Sequence, residues 1–408
     1  MPSGSSTARH PEVERKFDVD DATVPPSFAG IAGVARVAEL PSQSLDAVYF
    51  DTPAHDLATS RITLRRRTGG TDAGWHLKLP AGPDTRTEVR EPLGTGDDEV
   101  PSELSDLVLA IVRDRPLAPV ARITTDRSVA LLHGDDGSAL AEFCDDRVTA
   151  RTVGTPVPTE QRWREWELEL IGADAELLDR LSDRLIDTGA TPAGHASKLA
   201  RALGTAPPTR GYPDPVHRAL AEQVDNLLVW DRAVREDADD AVHQMRVAIR
   251  KIRSLLQAGR LSDSAAIIDE LRWLAGLLGV ARDAEVLAKR YRRALHQLPA
   301  ELVRGRVTQR LVHTAQRRYR AGRRHSLIAM RSARYFRLLD GLDALVAEPA
   351  TGSQATSQTL DAAYRQLCKR AKAAAGAAAG TGRDQALHRI RKAAKRLRYT
   401  AAATDAAQ

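Results

Sequence analysis

Twelve residues divide this chain into two parts that follow different patterns. Gly204 to Pro215 holds four prolines and two glycines, and a segment so short of backbone donors and so rich in turn formers continues neither a helix nor a strand. Before it, short segments alternate two kinds of side chain and are punctuated by Gly, Pro and Asp. After it, apolar residues recur at three- and four-residue spacing. A chain of 408 residues exceeds what one core usually organises, so the pattern predicts a β-rich domain over 1–203, a linker over 204–215 and an all-helical domain over 216–408.

Charge separates the same halves. Residues 1–208 carry 23 Lys and Arg against 34 Asp and Glu, a net of −11, whereas residues 209–408 carry 37 against 20, a net of +17. A half at +17 attracts a polyanion: polyphosphate, nucleic acid or an anionic membrane surface. The two cysteines, Cys144 and Cys368, match neither a disulfide framework nor a thiolate metal site, which predicts a reducing, cytoplasmic setting. Met1 to His10 lack an apolar core and no stretch is long and apolar enough to span a bilayer, so neither export nor a membrane is expected.

Eight strands are predicted: Glu12–Phe17, Leu45–Asp51, Arg61–Thr68, Gly74–Leu79, Thr85–Glu91, Ala121–Leu132, Ser138–Ala150 and Arg162–Ile171. Helices are expected over Leu104–Arg113 and Ala175–Thr188. Several strands put ionisable residues in register on one face. Glu12, Glu14 and Lys16 share a face, as do Arg65 and Arg67, His76 and Lys78, Arg86, Glu88 and Arg90, and Glu165, Glu167 and Glu169. A solvated outer face is the ordinary explanation for one such strand. Here carboxylates cluster on the first and last strands and bases on those between. Eight strands closing on themselves enclose just enough room for one small ligand, with bases for phosphate oxygens and carboxylates for a hard divalent cation.

These strands resemble the CYTH family, the triphosphate tunnel metalloenzymes, over about residues 10 to 203. The Glu-x-Glu-x-Lys signature stands at Glu12, Glu14 and Lys16. Tyr49-Phe-Asp-Thr, Leu64-Arg-Arg-Arg, Leu77-Lys-Leu-Pro, Arg86-Thr-Glu, Asp145-Asp146, Glu165-Trp-Glu-Leu-Glu-Leu and Ser197-Lys198 follow in order. The resemblance implies an α+β chain whose first domain is an antiparallel eight-stranded β-tunnel hydrolysing triphosphates with Mg²⁺ or Mn²⁺. It implies Glu12, Glu14, Glu167 and Glu169 as metal ligands, with Asp145 and Glu165 in support. Lys16, Arg65, Arg67, Lys78, Arg86, Glu88, Arg127 and Lys198 would line the phosphate chain, and Glu12, Glu14, Lys16, Glu167 and Glu169 would carry the catalysis. Phosphoryl transfer asks mainly for positioning and charge neutralisation, which such a set supplies. No Gly-rich phosphate loop, Gly-x-Ser-x-Gly elbow or His-Glu-x-x-His helix is present.

The helical half is read as Val216–Arg235, Asp240–Gln257, Ser262–Leu278, Arg282–His296, an Arg-rich run Glu301–Ala329 and Ala333–Val346, with Glu348–Thr359 and Ala371–Gly382 expected as loop or frayed helix. It repeats itself at a spacing of 145: His243, Arg246, Arg250, Lys251 and Arg253 correspond to His388, Arg391, Lys395, Arg396 and Arg398, with Lys392 beside them. Offsets 0, 3, 7 and 10 stack on one ridge of a helix, and like charges so stacked repel unless an anion relieves them. An apolar ridge, Val242, Met245, Ile249 and Ile252, lies next to it, matched by Leu387, Ile390, Ala394 and Leu397.

With Leu277-Leu-Gly-Val-Ala-Arg-Asp-Ala-Glu-Val286, the two His-headed segments resemble a CHAD domain, a helical module of two similar halves associated with inorganic polyphosphate. Family members usually continue for one or two helices past the Lys-Arg-Leu-Arg-Tyr segment, which predicts a shortened second half here. Joined to a CYTH module, it resembles bacterial inorganic triphosphatases. The expected partners are therefore inorganic triphosphate and polyphosphate, with polyphosphate granules a candidate location. Nucleic acid ranks lower, since the ridges lack interleaved aromatics. The competing reading is a non-catalytic, granule-localising polyphosphate binder; nucleotide cyclisation is a minor one.

Overall fold

The computed structural model describes residues 8–82, 84–94, 99–154, 157–205, 215–259, 264–347, 355–376 and 381–405. The chain forms two compact units, Met1–Thr209 and Arg210–Gln408. Most of the expected linker, 206–214, lies outside the described residues.

The first unit runs β1 (Ala8–Val19), β2 (Arg36–Asp51), α1 (Asp56–Thr59), β3 (Thr63–Thr68), β4 (Gly74–Pro80), β5 (Thr85–Glu91), α2 (Ser102–Val112), β6 (Ala118–His133), β7 (Ala139–Thr152), β8 (Glu160–Leu170), α3 (Ala175–Asp187), β9 (Thr191–Pro192) and α4 (Lys198–Leu203). The antiparallel sheet has the order β5-β4-β3-β2-β6-β7-β8-β1, and β5 pairs back onto β1 to close an eight-stranded barrel. β9 adds two residues to the free edge of β1. β2 reaches back to Arg36, well before its predicted start, and its ladder with β6 slips between Leu40 and Gln43, where Pro41 has no amide proton to give.

The barrel is inverted with respect to an ordinary one. Its apolar side chains point outward and are covered by helices. Phe17, Phe143, Trp166 and Leu168 pack on Leu177, Leu181 and Leu185 of α3, while Phe50, Leu64, Trp75 and Leu77 pack on Leu104, Val108 and Val112 of α2. Each fully buried side chain of this kind contributes roughly 1.5–3 kcal/mol. The charged faces of the strands are thereby left for the interior.

The second unit comprises α5 (Pro215–Arg235), α6 (Ala241–Gly259), α7 (Ser264–His296), α8 (Thr314–Ala329), α9 (Ala333–Ala347), α10 (Ala355–Ala375) and α11 (Thr381–Asp405). α7 is one helix where two were expected. Gly276 and Gly279 lie within it, and a Cβ at Gly279 would meet the Arg246 guanidinium only at ordinary contact distance, 3.7–3.8 Å. Gly322 of α8 comes closer still, where a Cβ would sit 2.8 Å from the Ala281 amide nitrogen. The Arg-rich run is not one helix either: a 3-10 turn at Ala300–Leu302 and a π-turn at Gln309–His313 precede α8. α10 begins at Ala355 and extends through Ala375, so helix occupies much of both low-complexity patches, as alanine favours; 348–354 and 377–380 lie outside the described residues.

Candidate active site

The inward residues of the barrel line a cavity of about 270 Å³. Eight bases face it, Lys16, Arg65, Arg67, Lys78, Arg86, Arg90, Arg127 and Lys198, together with seven carboxylates, Glu12, Glu14, Asp72, Glu88, Glu142, Glu167 and Glu169. Strand register explains the convergence. Glu14 stands opposite Glu169 and Lys16 opposite Glu167 on β1 and β8, while Glu142 stands opposite Glu169 on β7 and β8.

At the inner end, Lys198 is the first residue of α4, a helix capped by the Ser197 hydroxyl, which accepts from the Ala200 amide at 3.1 Å. Its Nζ lies 2.8 Å from Asp146, 2.7 Å from Glu165 and 2.7 Å from Glu167. Arg127 donates twice to Asp146, at 2.7 and 2.6 Å, and once to Glu167 at 2.6 Å. Beyond them, Ala47, Tyr49, Ile123, Val148 and Ala150 cluster with Leu199 and Ala202 of α4, and the helix closes that end. Burial opposes charge on every one of these groups. The neighbours win: Lys198 holds its proton far above the usual lysine range, while Lys16 and Lys198 drive Glu167 well below the carboxylate range.

Nearer the mouth the balance tips toward acid. Lys78 bonds Glu12 at 2.6 Å and approaches Glu14 at 3.9 Å, and Lys16 bonds Glu14 at 3.0 Å and also Glu167. Burial is overcome for Glu14, which Lys16 and Lys78 hold down at about 2. It is not overcome for the others. Burial raises Glu12 despite Lys78, and it pushes Glu169 up to about 7, with Glu12 and Glu14 adding to the effect. Two protonation-prone carboxylates beside a charged one mark a place short of cations.

Two acidic groups could therefore take a divalent ion. Among the described residues, only Asp146, Glu165 and Glu167 bring oxygens within 4.8 Å of one another, but the Lys198 ammonium already sits among them. Glu12, Glu14 and Glu169 are spaced more widely; Lys78 and Lys16 pair with Glu12 and Glu14, and no single ammonium sits among all three. Their oxygen-only donor set fits a hard cation such as Mg²⁺ or Mn²⁺.

The helical unit has a second charged feature. Arg250 and Arg253 of α6, Arg370 of α10, and Arg389, Lys392 and Lys395 of α11 line a groove of about 430 Å³ whose wall, among the described residues, includes no carboxylate. The expected apolar ridge of α6 is buried at Val242, Met245, Ile249 and Ile252, whereas its counterpart on α11 is exposed at Leu387. The other predicted bases whose side chains are described do not join the groove. His243 and Arg246 lie by Arg282 and Asp283, where burial and Arg282 lower the His243 pKa. Lys251 is half-buried, His388, Arg391 and Arg398 are exposed, and the Arg396 side chain lies outside the described residues.

Comparison with known proteins agrees with this division. A CYTH domain model matches residues 10–201 and a CHAD domain model residues 218–407. The uncharacterized proteins Rv2226 and MT2285 of Mycobacterium tuberculosis are each 63% identical over 427 residues, covering 98% of this chain and 83% of their own. This chain is a CYTH–CHAD protein. Among solved structures, PptA from Streptomyces chartreusis is similar at 21% identity and a TM-score of 0.38, over 46% of this chain and 74% of its own. The CHAD domain from the plant Ricinus communis is similar at 29% identity and a TM-score of 0.37, over 46% and 63%.

Most residues predicted for the CYTH domain face the tunnel, with one exchange. Asp145 points outward, where Arg164 grips it at 2.8 and 2.7 Å and also bonds the carbonyls of Asp20, Asp21 and Thr23. It ties down the connection after β1, while Asp146 turns to Arg127 and Lys198 at the inner end and Glu142 is the β7 carboxylate that lines the cavity. Period two carried that signal, because Asp146 shares parity with Glu142 and Asp145 with Phe143. Glu88 lies in the tunnel but is engaged by bases: His76 Nδ1 at 2.8 Å and Arg90. Asp72 and Tyr49 were not predicted as site residues. Tyr49 accepts from Arg65 at 3.3 Å, and Asp72 pairs with Arg67. Asp51 of the Tyr49-Phe-Asp-Thr segment is structural, accepting the amides of Thr52, Leu57 and Ala58 at 2.7–2.9 Å. The CYTH fold carries the general expectation of a tunnel that binds triphosphate or phosphoanhydride groups.

Proposed function

We propose that the CYTH domain hydrolyses inorganic triphosphate to diphosphate and orthophosphate with a divalent cation, and that the CHAD groove binds inorganic polyphosphate. The observation that carries the first part is the near balance of eight bases and seven carboxylates in one enclosed bore. A lining of bases alone suits a bare polyanion. A lining of both signs suits a cation and a phosphate chain arriving together, each taking over one half of the internal ion pairs.

Glu12, Glu14, Glu167 and Glu169 would hold the cation, which when bound neutralises phosphate charge and makes water a better nucleophile. Arg65, Arg67, Lys78, Arg86, Arg127 and Lys198 bind and align the phosphate oxygens, the forked guanidinium groups with two donors each. Lys16 pairs with Glu14 and Glu167 and can follow charge from carboxylate to phosphate. The covering helices and the closed inner end limit access of bulk water, so these charges act in a medium of low polarity.

The groove, with six bases and, among the described residues, no acid, supports the second part: polyphosphate held there would raise substrate concentration near the enzyme. Orthophosphate release from tripolyphosphate, ATP and thiamine triphosphate, with Mg²⁺ and then Mn²⁺, tests the catalytic reading. Release from none of them would favour the non-catalytic polyphosphate binder. Competition between polyphosphate and RNA at matched salt tests the groove.

A further inference from the structure

We propose that orthophosphate formed at the inner end of the tunnel leaves through an opening in the barrel wall between β1 and β5, separate from the mouth that admits substrate. The inference rests on the triphosphatase reading above.

The opening follows from a mismatch in strand length. β5 pairs with β1 only from Ala8 to Val13, ending where Val13 meets Thr85. One more bond, from the Glu14 amide to the Asp84 carbonyl at 3.0 Å, closes the ladder. β9 takes up the same edge of β1 only at Phe17 and Asp18. At Arg15 and Lys16 no strand among the described residues completes the wall. The chain from Ala193 to Ser197 crosses this gap as a strap, held by the Ala193 amide on the Lys16 carbonyl at 2.9 Å and by Arg86 on the Ala196 carbonyl.

Outside the gap lies a cavity of about 680 Å³ between the strap, the β4–β5 turn and the α3 residues Ser182 and Ile186. Glu14, Lys16 and Arg86 wall this cavity and the tunnel alike, so the two spaces adjoin at the gap. Over its whole lining, Arg15, Lys16, Arg61 and Arg86 are matched by Glu14, Asp84, Asp179 and Asp183, with His195 exposed on the rim, so the exit carries no net charge against a departing anion.

The chemistry requires such a route. A chain that enters end first places one terminal phosphate beside Lys16, Arg86 and Lys198, with the remaining phosphates between it and the mouth. Water oxygen bonds to the terminal phosphorus, the bridging P–O bond breaks, its electron pair leaves on diphosphate, and the water proton passes to solvent or a carboxylate. Orthophosphate then lies behind diphosphate, with α4 closing the end of the bore. It must wait for diphosphate to depart or leave sideways.

Two substitutions outside the substrate-binding set, Ala193→Trp on the strap and Ile186→Trp on the half-exposed face of α3, fill the cavity without touching the tunnel. The full-length protein is loaded with saturating diphosphate, and orthophosphate exchange is followed by phosphorus NMR. In the unsubstituted protein diphosphate should leave exchange nearly unchanged. In the Trp variants exchange should slow by about tenfold or more, kcat should fall in proportion with kcat/KM preserved, and quenched reactions should show an orthophosphate burst. Exchange blocked by diphosphate in the unsubstituted protein would overturn the proposal, as would unchanged kcat and exchange in both Trp variants at an unchanged melting temperature. A protein that releases no phosphate yet still exchanges it past diphosphate would keep the opening and refute the hydrolytic reading instead.

Discussion

Replacing Lys198 by methionine keeps the length of the side chain and removes its charge. Its ammonium lies within 2.8 Å of Asp146, Glu165 and Glu167 and is 8% exposed, so water cannot take its place. Removing one partner from a buried ionic network costs about 3–5 kcal/mol, because the carboxylates left behind repel one another. For a unit of this size about 2–4 °C of melting temperature accompanies each kcal/mol, so Lys198→Met should melt roughly 6–20 °C below the unsubstituted protein. The carboxylates then keep only Arg127 and Lys16 as internal cations, and Mn²⁺ should fill the gap left by the ammonium. A cation at a hundred times its dissociation constant returns about 2.7 kcal/mol, so Mn²⁺ should raise the variant's melting temperature by several degrees more than that of the unsubstituted protein. Scanning calorimetry with and without Mn²⁺ measures both effects. A variant that melts within about 2 °C of the parent would refute the electrostatic reasoning, since a buried network cannot lose its central charge so cheaply.

Other consequences follow from the same geometry. Glu14→Ala and Glu167→Ala should lose metal-dependent orthophosphate release while remaining folded, as judged by circular dichroism. Glu14, held at about 2 against an ordinary 4.5, favours the folded state above pH 4.5, and this contribution, on the order of 3 kcal/mol, should fade as pH falls toward 2 in acid-unfolding curves. Glu169, raised to about 7, has the opposite sign: its proton favours the folded state at low pH, and the benefit is lost as pH climbs from 4.5 through 7. Divalent-cation affinity should accordingly rise up to about pH 8, with protons released on binding, which calorimetry in buffers of different ionisation enthalpy will detect. In the groove, Arg370→Glu or Lys392→Glu should weaken polyphosphate binding and flatten its salt dependence, whereas His388→Ala, at an exposed position off the groove, should change little.

Much of the tunnel was legible because period two is a strict rule: once Glu165, Glu167 and Glu169 share a face with ionisable neighbours in register, only an inward or a fully solvated face remains. The eight strands and their closure followed. Asp145 was the expected ligand, although period two gives Asp146, and not Asp145, the parity of Glu142. Sequence pattern also missed Tyr49, which reads as an ordinary strand aromatic until Arg65 is seen beside it. In the helical unit, the break expected between Leu278 and Arg282 is absent and α7 continues through it, while the close approach at Gly322, where a Cβ would sit 2.8 Å from the Ala281 amide nitrogen, needs the neighbouring helix to be seen. The His-headed ridges predicted helices correctly but not what faces them. Arg370 and Arg389 enter the groove from positions with no repeat to flag them, while His243 turns toward Arg282.

The central claim is that carboxylates and bases of the barrel point inward and together take a cation and a phosphate chain. Crystals soaked with Mn²⁺ and the non-hydrolysable imidotriphosphate test it most directly through the anomalous signal of manganese. The account predicts a peak inside the bore beside Glu12, Glu14 and Glu169, with phosphates reaching Arg65, Arg127 and Lys198. Manganese and phosphate bound only on the outer surface of the barrel, with the internal ion pairs undisturbed, would contradict it.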